Sequence, residues 1–116
     1  MPNFIFISYT RKDRITAKLY EDFMVSSGFQ VWIDYKDLIL DQNFYSQIEW
    51  AISKSCMVLF LNSSNSNKSE WVHLEKRLVD KFNKPYIELD IENPNKTLNS
   101  DFSKLRRFAM QLRETG

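Results

Sequence analysis

Glu75 stands where a helix expects a leucine or valine. Counted from Trp71 at about 3.6 residues per turn, one helical face carries Trp71, Leu74, Glu75, Leu78, Val79 and Phe82, and five of these six are apolar. A carboxylate on such a stripe has to be paired, desolvated or set in the wall of a cavity, because burying it alone is expensive. That makes it a candidate active-site acid; it can equally be a structural glutamate that snorkels or pairs with a nearby Arg or Lys. Upstream, the run from Ser63 to Ser69 offers hydroxyls and amides at a helix start. Such groups contact a phosphate or simply build a loop and an N-cap. Asp34, closing the second apolar run, either faces a crevice or caps the turn that follows. Glu70 is a first-turn acid of the kind the helix dipole favours, and His73 faces away from the apolar stripe and is given no role.

Several chemistries lack their parts. With one histidine, His73, and one cysteine, Cys56, neither a Cys/His metal site nor an internal disulfide can be assembled. The two glycines, Gly28 and Gly116, stand nowhere near a phosphate-cradling loop. No nucleophile with an attendant base and no second catalytic acid stands out.

The elements that must position it follow from the patterning. Phe4 to Ile7 is a short apolar run ending in the polar Ser8-Tyr9-Thr10, which predicts a central strand of a parallel sheet, buried on both faces. From Arg11 the pattern turns helical, with Ile15, Leu19 and Phe23 at steps of four, and Thr10 with Asp13 resembles a capping box. Gly28 ends that helix, and Phe29 to Ile33 is a second strand. After the mixed stretch Asp34 to Asn43 comes a helix with Phe44, Ile48, Ala51 and Ile52 on one face. A third, wholly apolar strand, Cys56 to Leu61, leads into the loop and helix of Ser63 to Phe82.

Asn83-Lys84-Pro85 breaks that helix, and in Tyr86 to Ile91 apolar and acidic residues alternate, the mark of a strand near a sheet edge with one wet face. Glu92 to Ser100 reads as a loop. A last helix from Asp101 carries Phe102, Leu105, Ala109 and Leu112 and runs uncapped to Thr115-Gly116, as expected of one domain within a longer protein. Strand and helix alternate four times, which predicts an α/β fold with a doubly wound parallel sheet of four to five strands and helices on both faces. Ligands of such sheets bind beyond the carboxyl ends of the strands. Ser8 to Asp13, Asp34 to Asn43 and Asn62 to Glu70 all fall there.

The totals fit one globular domain spanning residues 1–116: 43% of the residues are hydrophobic and 27% charged. A formal charge of +1 gives no basic footprint for nucleic acid or an anionic membrane. No apolar run approaches the roughly 20 residues that span a bilayer, and Met1-Pro2-Asn3 lacks the basic start of a signal peptide, so a cytoplasmic location is expected.

Three stretches are jointly recognisable. Phe6-Ile7-Ser8-Tyr9 with Arg11 and Asp13, then Gly28 to Asp34, then Ser69-Glu70-Trp71-Val72-His73-Leu74-Glu75 resemble, in order and spacing, the three sequence boxes of the Toll/interleukin-1 receptor (TIR) domain family. The third, with Trp and Glu separated by three residues, is similar to the bacterial members that cleave NAD. The resemblance implies a flavodoxin-like fold and breakage of the nicotinamide–ribose bond, with NAD+ as substrate and no separate cofactor or metal. It places Glu75 as the catalytic glutamate and Trp71 beside it. Ser8 and Arg11 match pocket-lining positions, Phe44 matches an aromatic, and Asp34 and Ser69 fall in segments bordering the pocket. The stretch from Asp34 to Asn43 corresponds to the loop through which relatives self-associate, although it lacks the Pro or Gly common at its tip. The stretch between Ile91 and Asp101 is shorter than the family's usual helix and fifth strand.

Two functions follow from this resemblance: an NAD glycohydrolase, with or without cyclisation, that acts in bacterial antiphage defence once assembled and linked to a sensor domain, or a non-catalytic interaction module. A receiver domain of the same fold is disfavoured, because the first strand ends in Ser8-Tyr9-Thr10 and lacks paired acids for Mg²⁺.

Overall fold

The computed structural model describes residues 4–115, with side chains as far as Leu112. Four strands, β1 (Phe4–Ser8), β2 (Gln30–Trp32), β3 (Met57–Asn62) and β4 (Tyr86–Asp90), form one sheet. All pairings are parallel and the order is β2-β1-β3-β4, the flavodoxin-like order with four strands. Among the described residues the expectation of four to five strands resolves to four, with β2 and β4 at the two edges. The alternation of β4 is as predicted: Ile87 and Leu89 are buried, Tyr86, Glu88 and Asp90 are exposed. The helices are α1 (Arg14–Ser26), α2 (Asp34–Asp37), α3 (Phe44–Lys54), α4 (Glu70–Phe82) and α5 (Leu98–Thr115).

The pleat of β1 sorts the core into two layers. Ile5, Ile7 and Tyr9 point to the face covered by α1 and α5, where Ala17, Tyr20, Met24, Leu105 and Ala109 meet them. Phe4 and Phe6 point to the face covered by α3 and α4, against Ile48, Ala51, Ile52, Val72, Leu78 and Val79. Ser8 lies on this second face, one step beyond Phe6.

Four local expectations are corrected. Ile15 and Leu19 do not face the core: they are 86% and 45% exposed, and the inward stripe of α1 is Ala17, Tyr20, Glu21 and Met24. Steps of four advance about 40° around a helix each time, so the line from the half-buried Phe23 back to Ile15 has rotated by roughly 80° off the core face. Thr10 and Asp13 form no capping box; residues Arg11–Asp13 are a 3₁₀ turn without a side-chain cap, and Asp13 instead accepts a hydrogen bond from Ser63. The stretch after β2 contains the short helix α2. The last helix begins at Leu98, three residues before Asp101. The expected uncapped end at Gly116 and the Met1-Pro2-Asn3 start lie outside the described residues. α4 ends where predicted, with Asn83 in the left-handed conformation at φ 50°. No helix among the described residues is long and apolar enough to cross a membrane.

Candidate active site

The order β2-β1-β3 makes the carboxyl ends of β1 and β3 the point where the winding reverses, and loops leave it in opposite directions. Ser63 Oγ, just after β3, donates to Asp13 Oδ2 at 2.5 Å and ties the two loops together. Because successive residues of an extended chain face opposite ways, the last residue of β1 and the one after it reach two different carboxylates. Ser8 Oγ donates to Glu75 Oε1 at 2.7 Å, and Tyr9 Oη donates to Asp34 Oδ1 at 2.6 Å.

Glu75 is 2% exposed and Ser8 1%. Burial penalises the anion and raises the Glu75 carboxyl to about 8; the Ser8 hydrogen bond works against that rise, and the negative charge of Asp34 adds to it. At neutral pH the carboxyl is therefore mostly protonated. Tyr9 is raised as well, by burial first and then by its bond to Asp34. Asp34 also lies 4.0 Å from Arg11 Nε, a pair whose arginine is 82% exposed and whose worth is small. On β3, where Val58 and Phe60 face α4, the alternation places Asn62 on the same side as Ser8; its Oδ1 is buried without a hydrogen-bond partner.

Beside the two carboxylates lies a cavity of about 500 Å³, within the roughly 300–1,000 Å³ of small-molecule sites. Arg11, Asp34, Phe44, Ser69 and Trp71 all line it, so five of the seven residues expected at the site are brought together. Ser8 and Glu75 are not among its lining; they form a buried pair, Ser8 next to Tyr9 of the wall and Glu75 one helical turn after Trp71. Asp34 does not cap the following turn, which has no side-chain cap bond; it accepts from Tyr9 and lines the cavity instead. Ser69 does both things open to it: its Oγ accepts from Val72 N at 3.2 Å as the N-cap of α4, and it borders the cavity. Glu70 and His73 are exposed.

Tyr9, Thr10, Lys12 and Leu38 also line this wall; the sequence places them within the segments beyond the strand ends and singles out none of them as a site residue. Lys12 had a signal, a second cation directly after Arg11 beyond a strand end. Tyr9 had a weaker one, a hydroxyl directly after β1. Leu38 gave none, because it sits in a stretch without periodicity. Among the described residues no group of three or more His, Cys, Asp or Glu is placed to hold a metal ion. Chemically, the cavity sets two cations and the Asp34 carboxylate among aromatic and apolar walls, and the buried Glu75 carboxyl lies one helical turn from Trp71 of that wall. Such a set suits a phosphorylated ligand with a planar ring.

A family model described as the TIR domain matches residues 5–114. A search of curated proteins gave no match. Among solved structures, the TIR domain of the Toll-related receptor TRR-2 from Hydra magnipapillata is similar, with a TM-score of 0.68 and 14% identity over 94% of this chain and 97% of that one. The TIR domains of the activated Roq1 resistosome, which directly recognises the pathogen effector XopQ, align with a TM-score of 0.58 and 19% identity over 97% of this chain and 82% of that one. At these identities the likeness is one of fold.

Proposed function

Because the chain belongs to the TIR domain family, we propose that it is an NAD+ glycohydrolase whose catalytic carboxylate is Glu75. One observation carries the reading: a carboxyl 2% exposed and raised to about 8 lies one helical turn from Trp71, in the wall of a cavity that Arg11, Lys12 and Phe44 also line. Cleavage breaks the bond between C1′ of ribose and the pyridinium nitrogen, and the bonding pair neutralises the ring as nicotinamide leaves. The leaving group is already cationic, so no acid is needed to protonate it. An anion beside the ribose is needed, to stabilise the oxocarbenium-like transition state and to orient the water that adds at C1′ and loses its proton. If a ribose hydroxyl adds in place of water, the product is cyclic. In this assignment Arg11 and Lys12 meet the diphosphate, while Trp71 and Phe44 wall the rings.

The buried, protonated state of Glu75 is the wrong one for this chemistry, and that fits an enzyme silent until assembly. The arriving pyridinium charge favours the carboxylate form, and opening of the wall between Glu75 and the cavity gives it access. The proposal accordingly includes self-association, a linked sensor domain outside this chain, and a cytoplasmic defence role.

A second reading is favoured by one feature. Ile39, Leu40, Phe44, Tyr45 and Trp50 leave 42–77% of their surface exposed on one stretch of chain, as suits a docking face. In that reading the domain joins its own kind and does no chemistry; the Roq1 TIR domains likewise stand within an assembly. Nicotinamide release from NAD+, followed across protein concentration with and without a crowding agent, separates the two. Release that rises more steeply than protein concentration supports the enzyme, and an assembled but inert chain supports the module.

A further inference from the structure

Glu21 sits on the inward stripe of α1 and is 5% exposed, so its charge requires partners. Both come from α2. The Tyr35 hydroxyl donates to Glu21 Oε1, and Lys36 Nζ lies 3.5 Å from Oε2. Lys36 also donates to the Val31 carbonyl at 3.2 Å, and Arg14 stacks over the Tyr35 ring at 5.0 Å. Farther along the same stretch, Gln47 of α3 makes a two-point clip: its Oε1 accepts from Ile39 N and its Nε2 donates to Ile39 O, both at 2.7 Å.

Between these clips the chain packs on the core through Leu38, while Ile39 and Leu40, at and just past the second clip, are 53% and 77% exposed. It also has space on both sides. Asp34 and Leu38 line the candidate active site, whereas Asp37, Ile39, Gln42 and Asn43 line a second cavity of about 430 Å³ with Trp32 and Trp50. A partition between two cavities, tied to the core by Leu38, depends on specific bonds for the rest of its position.

We propose that Glu21, acting through Tyr35 and Lys36, and Gln47, acting through Ile39, are positioning residues that hold residues 34–43 as the wall of the candidate active site. The inference rests on the glycohydrolase reading only for its kinetic consequence; the mechanical claim stands apart from it.

Amide hydrogen exchange in the native chain and in the Tyr35→Phe, Glu21→Gln and Gln47→Ala variants tests it. Loss of a hydrogen bond to a buried carboxylate in Tyr35→Phe speeds exchange at Lys36, Asp37 and Leu38 roughly tenfold, with β3 unchanged. Glu21→Gln keeps an acceptor for Tyr35 and falls between native and Tyr35→Phe. Gln47→Ala speeds the Ile39 amide. In assembled protein that cleaves NAD+, all three raise KM several-fold and leave kcat within about twofold, since they move the wall and spare Glu75. Unchanged exchange across 34–43, or equal acceleration in β3, overturns the proposal. Because exchange is read without turnover, a chain that cleaves no NAD+ refutes the enzyme assignment and leaves this test standing.

Discussion

Ser8 Oγ and Glu75 Oε1, 67 residues apart in sequence, meet at 2.7 Å and join the end of β1 to the second turn of α4. This hydroxyl is the one hydrogen-bond donor among the described residues that favours the Glu75 anion, set against burial and the charge of Asp34. The balance leaves the carboxyl proton in place at neutral pH, and it ties both stability and activity to pH.

Stability is expected to fall as pH rises. Glu75 is raised from 4.5 to about 8, so between these values the folded chain holds a proton that the unfolded chain has lost. The stabilising contribution is complete below the unfolded value and is lost as pH climbs toward the folded one, at about 1.4 kcal/mol for each pH unit crossed. Glu75→Gln, neutral at every pH and able to accept from Ser8, lacks this slope. Its melting temperature should match the native chain near pH 5 and exceed it at pH 9, as measured by thermal unfolding. Parallel curves at both pH values would contradict the buried-acid description.

The two neighbours of Glu75 should shift activity in opposite directions. Ser8→Ala removes the group that lowers the carboxyl, so the acid limb of the pH–rate profile for nicotinamide release moves toward alkaline pH. Asp34→Asn removes a charge that raises it, and the limb moves toward acid. Asp34→Asn keeps an amide oxygen to accept from Tyr9 Oη but turns a charge-assisted bond into a neutral one, at a cost of about 1 kcal/mol. The direction of the pH shift, which general destabilisation does not set, is the informative readout.

Arg11 and Lys12 are assigned to the diphosphate, and that assignment has a salt signature. Arg11→Ser and Lys12→Ser should each raise KM for NAD+ about fivefold to tenfold, of order 1 kcal/mol for one exposed charge contact. Each should also flatten the rise of KM with ionic strength, because part of the screened interaction is gone. Loss of kcat alone at constant KM would place these cations elsewhere.

The fold was legible in the sequence wherever burial was continuous. The runs Phe4–Ile7 and Cys56–Leu61 announce the two central strands, and the alternation from Tyr86 announces an edge. At the site, Glu75 betrayed itself because a carboxylate interrupts an apolar stripe. The physical rule that exposed it, that a charge off its proper face needs a reason, applied equally to Glu21 on α1. There the stripe was misread, since Ile15 and Leu19 offered an apolar line that the core does not use. The stretch from Asp34 to Asn43 hid α2, because four residues are too few for helical periodicity to register. Leu38 and the Tyr9–Asp34 bond depend on long-range placement that no local pattern encodes.

The most direct measurement is nicotinamide release from NAD+ by the native chain and by Glu75→Gln, at matched high concentration and matched degree of assembly, with thermal unfolding run on both. A folded Glu75→Gln variant that assembles normally and releases nicotinamide at least about a hundredfold more slowly, a loss of about 2.7 kcal/mol of transition-state stabilisation, is the predicted result. A variant that keeps the native rate to within a few-fold would show that some other group carries the reaction, and would remove Glu75 from it.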